Sequence, residues 1–227
     1  MIVAIDGPAG SGKSTTARAV AERLGYFYIN TGAMYRAVAL AFLRAGVAAS
    51  PEQAAALLPT LQLDVQYESG TMHVLIEGED VTGELGRPEV GQGASAVARL
   101  SAVREKLVAV QQRLGHRYRR GPGVVLEGRD IGTVVFPDAE VKIFMGADAE
   151  VRAQRRHAEL VSRGLSAAFE TVLEEILQRD RQDRERALSP LRKADDAIAL
   201  DTTHRSIEAQ VQFVVDRVRE REDRQEV

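Results

Sequence analysis

Residues Gly7-Pro8-Ala9-Gly10-Ser11-Gly12-Lys13-Ser14 satisfy G-x-x-x-x-G-K-[ST] at every fixed position, and no other feature of the 227-residue chain constrains its fold so sharply. The run stands directly after Ile2-Val3-Ala4-Ile5-Asp6, which reads as a buried strand. It opens Lys13–Leu24, whose apolar Ala17, Val20, Ala21 and Leu24 fall at helical spacing. A strand that turns through glycines into a helix lets backbone N–H groups converge on an anion and adds the positive potential of the helix N-terminus. Gly7, Pro8, Ala9, Gly10, Ser11 and Gly12, with Lys13, Ser14 and Thr15, are therefore the predicted cradle of a nucleoside triphosphate, and the Ser14 hydroxyl the predicted ligand of its Mg²⁺. A turn that merely capped a helix would not require a lysine followed by Ser-Thr-Thr.

Further apolar runs at Val124–Leu126, Val141–Met145 and Ile198–Leu200 are short and continuous, with helical patterns between them. That is the signature of strands buried on both faces of a parallel sheet, so the expected class is α/β, a P-loop NTPase-type fold with a parallel five-stranded sheet flanked by helices. Residues 63–82 alternate instead and turn at Ser69-Gly70, which predicts a small antiparallel hairpin inserted outside that sheet. Ile207, Val211, Val214, Val215 and Val218 share one face of a closing helix over 206–221, and the charged tail beyond it is expected to fray. The length suits a single domain.

Composition removes several functions. There is no cysteine, which excludes disulfides, thiolate metal sites and a thiol nucleophile, and the four histidines are scattered without metal-ligand spacing. A net charge of -3 provides no general field for RNA or DNA, so any anion site has to be built locally. The opening MIVAIDGPAG lacks the basic and long apolar segments of a secretion signal, and no later stretch is long and apolar enough to span a bilayer. The expected partners are small nucleotides, with no nucleic acid polymer and no membrane, and the expected compartment is the cytoplasm.

A phosphate loop of this kind also serves GTP-driven switches, which usually carry N-K-x-D for guanine. Asn30 is the only asparagine and precedes Thr31, so that segment is missing. Asp80-Val-Thr-Gly83 matches a loose D-x-x-G, but it falls in the hairpin and reads as a turn. A kinase for a small phosphorylated acceptor must instead hold two anions together, with arginines from several directions and water excluded. Thr31-Gly32-Ala33-Met34-Tyr35-Arg36 follows the strand-like Phe27–Ile29, and Glu127-Gly128-Arg129-Asp130 follows Val124–Leu126, at the sheet edge where open α/β folds bind ligands. Arg152, Arg155 and Arg156 share one helical face, and so do Arg179, Asp183 and Arg186. Only four of the 30 basic residues are lysines, so from spacing alone these sets read equally as salt-bridged helix surfaces.

The order GPAGSGKST, INTGAMYR, EGRDIGTVVFPDA, RAQRR, RDRQDRERALSPL and ADDAIALDTT closely resembles bacterial cytidylate kinases over nearly the whole chain. The inserted hairpin resembles that family's enlarged acceptor-binding region and differs from the shorter one of adenylate kinases. The resemblance implies ATP-dependent phosphorylation of CMP and dCMP, within pyrimidine nucleotide metabolism, on a core of 1–30, 101–149 and 167–227; a kinase for another monophosphate, UMP or AMP, is the alternative, and a monomer is expected. Residues of about 31–100 would form the acceptor-binding insertion and about 150–166 a helical lid, with Arg163-Gly164 as a hinge or helix end. It further implies that Thr31 and Arg36 touch acceptor ribose or phosphate, that Arg129 is a phosphate ligand, and that Asp130 lies at the acceptor ribose. Ser95, Arg104 and Asp183 would read the cytosine edge. Arg179 and Arg186 would meet the transferring and acceptor phosphates, and Arg152, Arg155 and Arg156 would close over ATP. Two departures stand out: Asn30 and Glu127 occupy positions where the family often has aspartate.

Overall fold

The computed structural model describes residues 1–68, 70–162 and 164–224. In chain order these form β1 (Ile2–Asp6), α1 (Lys13–Leu24), β2 (Phe27–Asn30), α2 (Thr31–Arg44), α3 (Pro51–Leu57), β3 (Leu63–Glu68), β4 (Thr71–Ile76), β5 (Glu79–Asp80), α4 (Pro88–Val97) and α5 (Ser101–Arg119). Then follow β6 (Val124–Gly128), a π-helical turn (Ile131–Val135), β7 (Val141–Gly146), α6 (Ala149–Ser162), α7 (Phe169–Glu185), β8 (Ile198–Asp201) and α8 (Ile207–Asp223).

Among the described residues, five strands form a parallel sheet in the order β2-β6-β1-β7-β8. The central strand β1 is buried along its whole length, and its alternating side chains supply two cores. Ile2 and Ala4 pack with Ile29, Val124 and Leu126 under α2, α4, α5 and the small sheet. Val3 and Ile5 pack with Val125, Ile143 and Met145 under α1 and α8. A continuous apolar run is therefore the expected sequence for such a strand, since neither face meets water.

The expected hairpin is present with one strand more: β3 and β4 pair antiparallel from Leu63–Ile76 to Glu68–Thr71, and the two-residue β5 adds to β4. Ser69 of the expected turn lies outside the described residues. Asp80-Val-Thr-Gly83 forms a local turn, in which the Asp80 carboxylate accepts from Thr82 N at 2.9 Å and Thr82 Oγ1 at 2.6 Å. Helices α6 and α7 pack on one another through a separate small cluster, Ala153, Val172 and Ile176. Arg163 lies outside the described residues. Gly164, at φ 73°, donates its N–H to Val161 O at 2.9 Å, and Leu165 N reaches Leu160 O at 3.0 Å, the pattern of a helix end closed by a left-handed glycine. No helix among the described residues is long and apolar enough to cross a membrane.

Candidate active site

The phosphate loop leaves the sheet at its central strand, and glycine is required where it does so. Gly7 has φ 152°, and a Cβ there would sit 2.1 Å from Met145 O on β7. Gly12, at φ 89°, is the left-handed residue that turns the loop into α1. The loop is tied down from behind: Thr202 Oγ1 donates to Ser11 O at 2.9 Å, and Thr16 Oγ1 donates to Gln210 Oε1 at 2.8 Å. Lys13 is buried, its Nζ donating to Pro8 O at 2.6 Å and Ser11 Oγ at 3.3 Å.

The parallel register sets Asp6 beside Gly128, so the segment Glu127–Asp130 emerges next to the loop. Asp6 fastens the two. Its carboxylate accepts from Ile131 N at 2.9 Å and Gly132 N at 2.8 Å, capping the π-helical turn that follows Arg129 and Asp130. Turns of this type recur at functional sites. Burial pushes the Asp6 carboxyl up to about 6, although both N–H groups and Lys13 favour the charged form. Between its ordinary value near 4 and about 6, the folded protein keeps a proton on Asp6 that the unfolded chain has released, so the contribution of Asp6 to stability falls as pH rises through that window. The size of this share is about 3 kcal/mol. Chemical denaturation of wild type and Asp6→Asn at pH 4 and pH 7 is expected to show the difference moving in the variant's favour by an amount of that order; a pH-independent difference would mean that Asp6 is ionised throughout.

Facing the loop is a cluster of cations. Burial, and after it Arg129, pulls the Lys13 ammonium well below its usual range. Arg179 is pushed down to about 10 by burial, then by Arg129, with Arg36 and Arg156 adding to the effect. Burial also lowers Arg36, with Arg156 and Arg129 beside it. Arginines at ordinary surfaces do not crowd like this, because each raises the cost of charging the next. Among the anions set against these cations, Asp183 stands within the arginines: its Oδ2 accepts from Arg129 Nε at 2.9 Å. Burial alone would raise Asp183, but Arg129 and then Arg179 and Arg186 outweigh it and hold the carboxyl below its usual range. Arg179 Nε and Arg186 Nη2 are buried without hydrogen-bond partners, two donors left unsatisfied beside the loop's cations.

Beside this cluster, Arg104 and Asp130 form a buried ion pair. Arg186 Nη2 lies 3.9 Å from Asp130 Oδ1, and its Nε donates to Ser189 O at 2.5 Å. Thr31, the first residue of α2, donates to Glu127 O at 2.7 Å, which locks α2 and Arg36 to the sheet edge. Ser95 is half-buried on α4.

The three arginines of α6 share a face but not a partner. Arg152 is buried; its guanidinium donates to Ala147 O at 2.9 Å, to Ala9 O of the loop at 3.1 Å, and in a fork to Asp180 at 3.0 and 2.7 Å. Arg155 is tied to Thr202 O at 2.6 Å. Arg156 bonds Glu159 at 2.8 Å and is the one of the three that borders Arg36 and Arg179. Arg152 thus clasps the loop, α6 and α7 together. Arg152→Met strands Asp180, 10% exposed, without its counter-charge, and is expected to cost about 3–5 kcal/mol in denaturation. The double variant Arg152→Met/Asp180→Leu is expected to recover most of that loss.

Glu127 takes both its oxygens to neighbours: Oε2 accepts from Ser14 Oγ at 2.8 Å and Oε1 from Tyr28 OH at 2.5 Å. No group of three or more His, Cys, Asp or Glu that could hold a metal is found among the described residues. The oxygen pair Ser14 and Glu127 nevertheless fits Mg²⁺, which keeps water and phosphate oxygens and takes only one or two ligands from protein. Sequence reasoning missed Asp6, Tyr28 and Asp180, which act through another residue and carry no motif of their own.

A phosphate loop on the central strand of a parallel sheet, faced by convergent arginines under a helical pair, defines a kinase of the P-loop class. A protein-family model for cytidylate kinase matches residues 3–220. The cytidylate kinase of Salinibacter ruber is 54% identical over 225 residues, covering 99% of this chain and 99% of the relative. That of Geobacter sp. strain M21 is 46% identical over 222 residues, covering 97% and 94%. The chain belongs to the cytidylate kinase family. Among solved structures, an uncharacterized protein from Eubacterium ventriosum matches with a TM-score of 0.51 at 12% identity, over 96% of this chain and 98% of that one, a likeness of fold alone.

Proposed function

We propose that this protein transfers the γ-phosphoryl group of ATP to the phosphate of CMP or dCMP, giving ADP and the pyrimidine nucleoside diphosphate. The observation that carries the reading is the cation cluster at the loop, in which the buried Lys13 borders Arg129 and Arg179, with Arg36 and Arg156 beside those arginines. A triphosphate and an acceptor monophosphate brought end to end would relieve that repulsion and supply the partners that Arg179 Nε and Arg186 Nη2 lack.

In this reading the loop from Gly7 to Thr15 holds the ATP phosphates through the backbone N–H groups it has, Pro8 having none. Lys13 exchanges its bond to Pro8 O for the β- and γ-oxygens. Ser14, with Glu127 behind it, would hold Mg²⁺, which would neutralise part of the charge on the ATP phosphates. The bond formed joins an acceptor phosphate oxygen to Pγ, and the bond broken is that from Pγ to the β,γ-bridging oxygen. The attacking oxygen is already an anion, so no general base is needed, and the work is positioning and charge. Arg129 and Arg179 lie at the transferring group, and Arg156 is the lid arginine offered to the phosphates. Thr31, Arg36 and Arg186 hold the acceptor phosphate and ribose side with Asp130; Ser95, Arg104 and Asp183 read the base. Residues of about 31–100 serve as the acceptor-binding insertion and about 150–166 as the lid, while Arg152 and Arg155 anchor the lid's base.

A panel of CMP, dCMP, UMP and AMP with ATP and Mg²⁺, followed by ADP release, tests the reading. CMP and dCMP are expected to be turned over best. Preference for UMP or AMP would overturn the acceptor assignment, and equal ADP release without any acceptor would point to a nucleotide-hydrolysing switch.

A further inference from the structure

Two carboxylates lie near Lys13, those of Asp6 and Glu127, and the structure restrains each in a different way. Asp6 is held by the backbone N–H groups of Ile131 and Gly132. Glu127 has a long side chain with several rotatable bonds, is 4% exposed, and borders both Lys13 and Arg36. Unrestrained, it would close onto one of those cations, because a buried carboxylate beside a buried ammonium gains most by direct contact. What opposes this is the bond from Tyr28 OH to Oε1 at 2.5 Å, leaving Oε2 for the Ser14 hydroxyl at 2.8 Å.

Tyr28 is built to hold that position. It is buried on β2, paired with Val125 of β6, while Glu127 lies two residues further along the same neighbouring strand. Its own carbonyl accepts from Tyr67 OH at 2.8 Å, and the Arg18 guanidinium lies 5.5 Å from its ring centroid. A carboxylate oxygen can only accept, so the bond between the two runs from the phenol O–H to Glu127. A hydroxyl has one proton. When Ser14 gives that proton to Glu127, its lone pairs are left for a cation at the loop mouth.

We infer that Tyr28 is a positioning residue for the metal-bearing corner of the loop: it fixes Glu127 so that Glu127 orients Ser14 and leaves Lys13 free for phosphate. The inference rests on the reading that Gly7–Ser14 binds a magnesium nucleotide. Removing a partner behind a metal ligand typically weakens metal affinity about 10–100-fold.

The test measures ADP binding by calorimetry, with Mg²⁺ and with EDTA, for wild type and Tyr28→Phe. Wild type is expected to bind ADP more tightly with Mg²⁺, and Tyr28→Phe is expected to lose about tenfold or more of that enhancement. If wild type shows no enhancement, the loop reading itself fails. If wild type shows it and Tyr28→Phe retains all of it, the role of Tyr28 is overturned, even where both affinities fall together as a general structural effect would make them. Glu127→Gln supplies a second check. With Tyr28 acting through Glu127, the double variant Tyr28→Phe/Glu127→Gln should have the same Mg²⁺ enhancement as Glu127→Gln alone. A further loss in the double variant would place Tyr28 on a separate path and overturn the inference.

Discussion

Lys13→Ala is expected to lower turnover by two to three decades, about 3–4 kcal/mol of transition-state stabilisation, without loss of the fold. The ammonium is buried among Arg129 and Arg179, and its pKa is pulled down by that setting, so it contributes repulsion to the folded protein in the absence of phosphate. Its bonds to Pro8 O and Ser11 Oγ are local to the loop, and no element of the sheet depends on them. Removing it therefore exchanges a destabilising charge for a small void, and the melting temperature should stay level or rise while activity collapses. That divergence separates a working group from a structural one. Coupled measurement of ADP release and a thermal melt checks both halves; retention of more than a tenth of wild-type turnover would remove Lys13 from the reaction.

Strand positions and loop placement were legible because they follow from local signals, whereas the order of the strands in the sheet carries no local signal. The run Ile2–Asp6 is apolar without alternation, which only a strand covered on both faces tolerates, and the glycines at 7 and 12 mark backbone that other residues would not adopt. The hairpin was legible from alternation, but β5 was not, since two residues carry no period. Spacing succeeded in placing Arg152, Arg155 and Arg156 on one helix face. It could not assign their partners, which come from Asp180, Thr202 and Glu159 respectively, and two of these lie far away in sequence. Residues that hold other residues leave no trace at short range. Tyr28 and Glu127 are 99 positions apart, and Asp6 meets Gly132 across 126. The resemblance to a family names groups expected to face ligand, and it is silent on the side chains standing behind them.

Asp183 carries the second large effect, on choice of base. Cytosine presents an N4 amino donor with N3 and O2 acceptors, whereas uracil presents O4 in place of the donor and a proton on N3. Asp183 lies in a group with Arg186, which also borders Arg104 and Asp130, so a carboxylate and a guanidinium suited to the cytosine edge stand in one neighbourhood. Asp183 also neutralises Arg129 at 2.9 Å, and this gives a competing account in which it merely quiets the arginine cluster. Two substitutions separate the accounts. Asp183→Ala removes the N4 partner and should lower kcat/KM for CMP more than for UMP. Leaving a buried polar group unmatched costs about 1–3 kcal/mol, so the CMP to UMP ratio should narrow by about 10–100-fold. Asp183→Asn goes further, since its amide can donate to uracil O4, and kcat/KM for UMP should rise above that of Asp183→Ala. If Asp183 acts only on the arginines, both variants lose the same negative charge and weaken every acceptor alike. Steady-state kcat/KM for CMP, dCMP and UMP on the two variants decides the matter, and a CMP to UMP ratio unchanged in both would exclude base reading by Asp183.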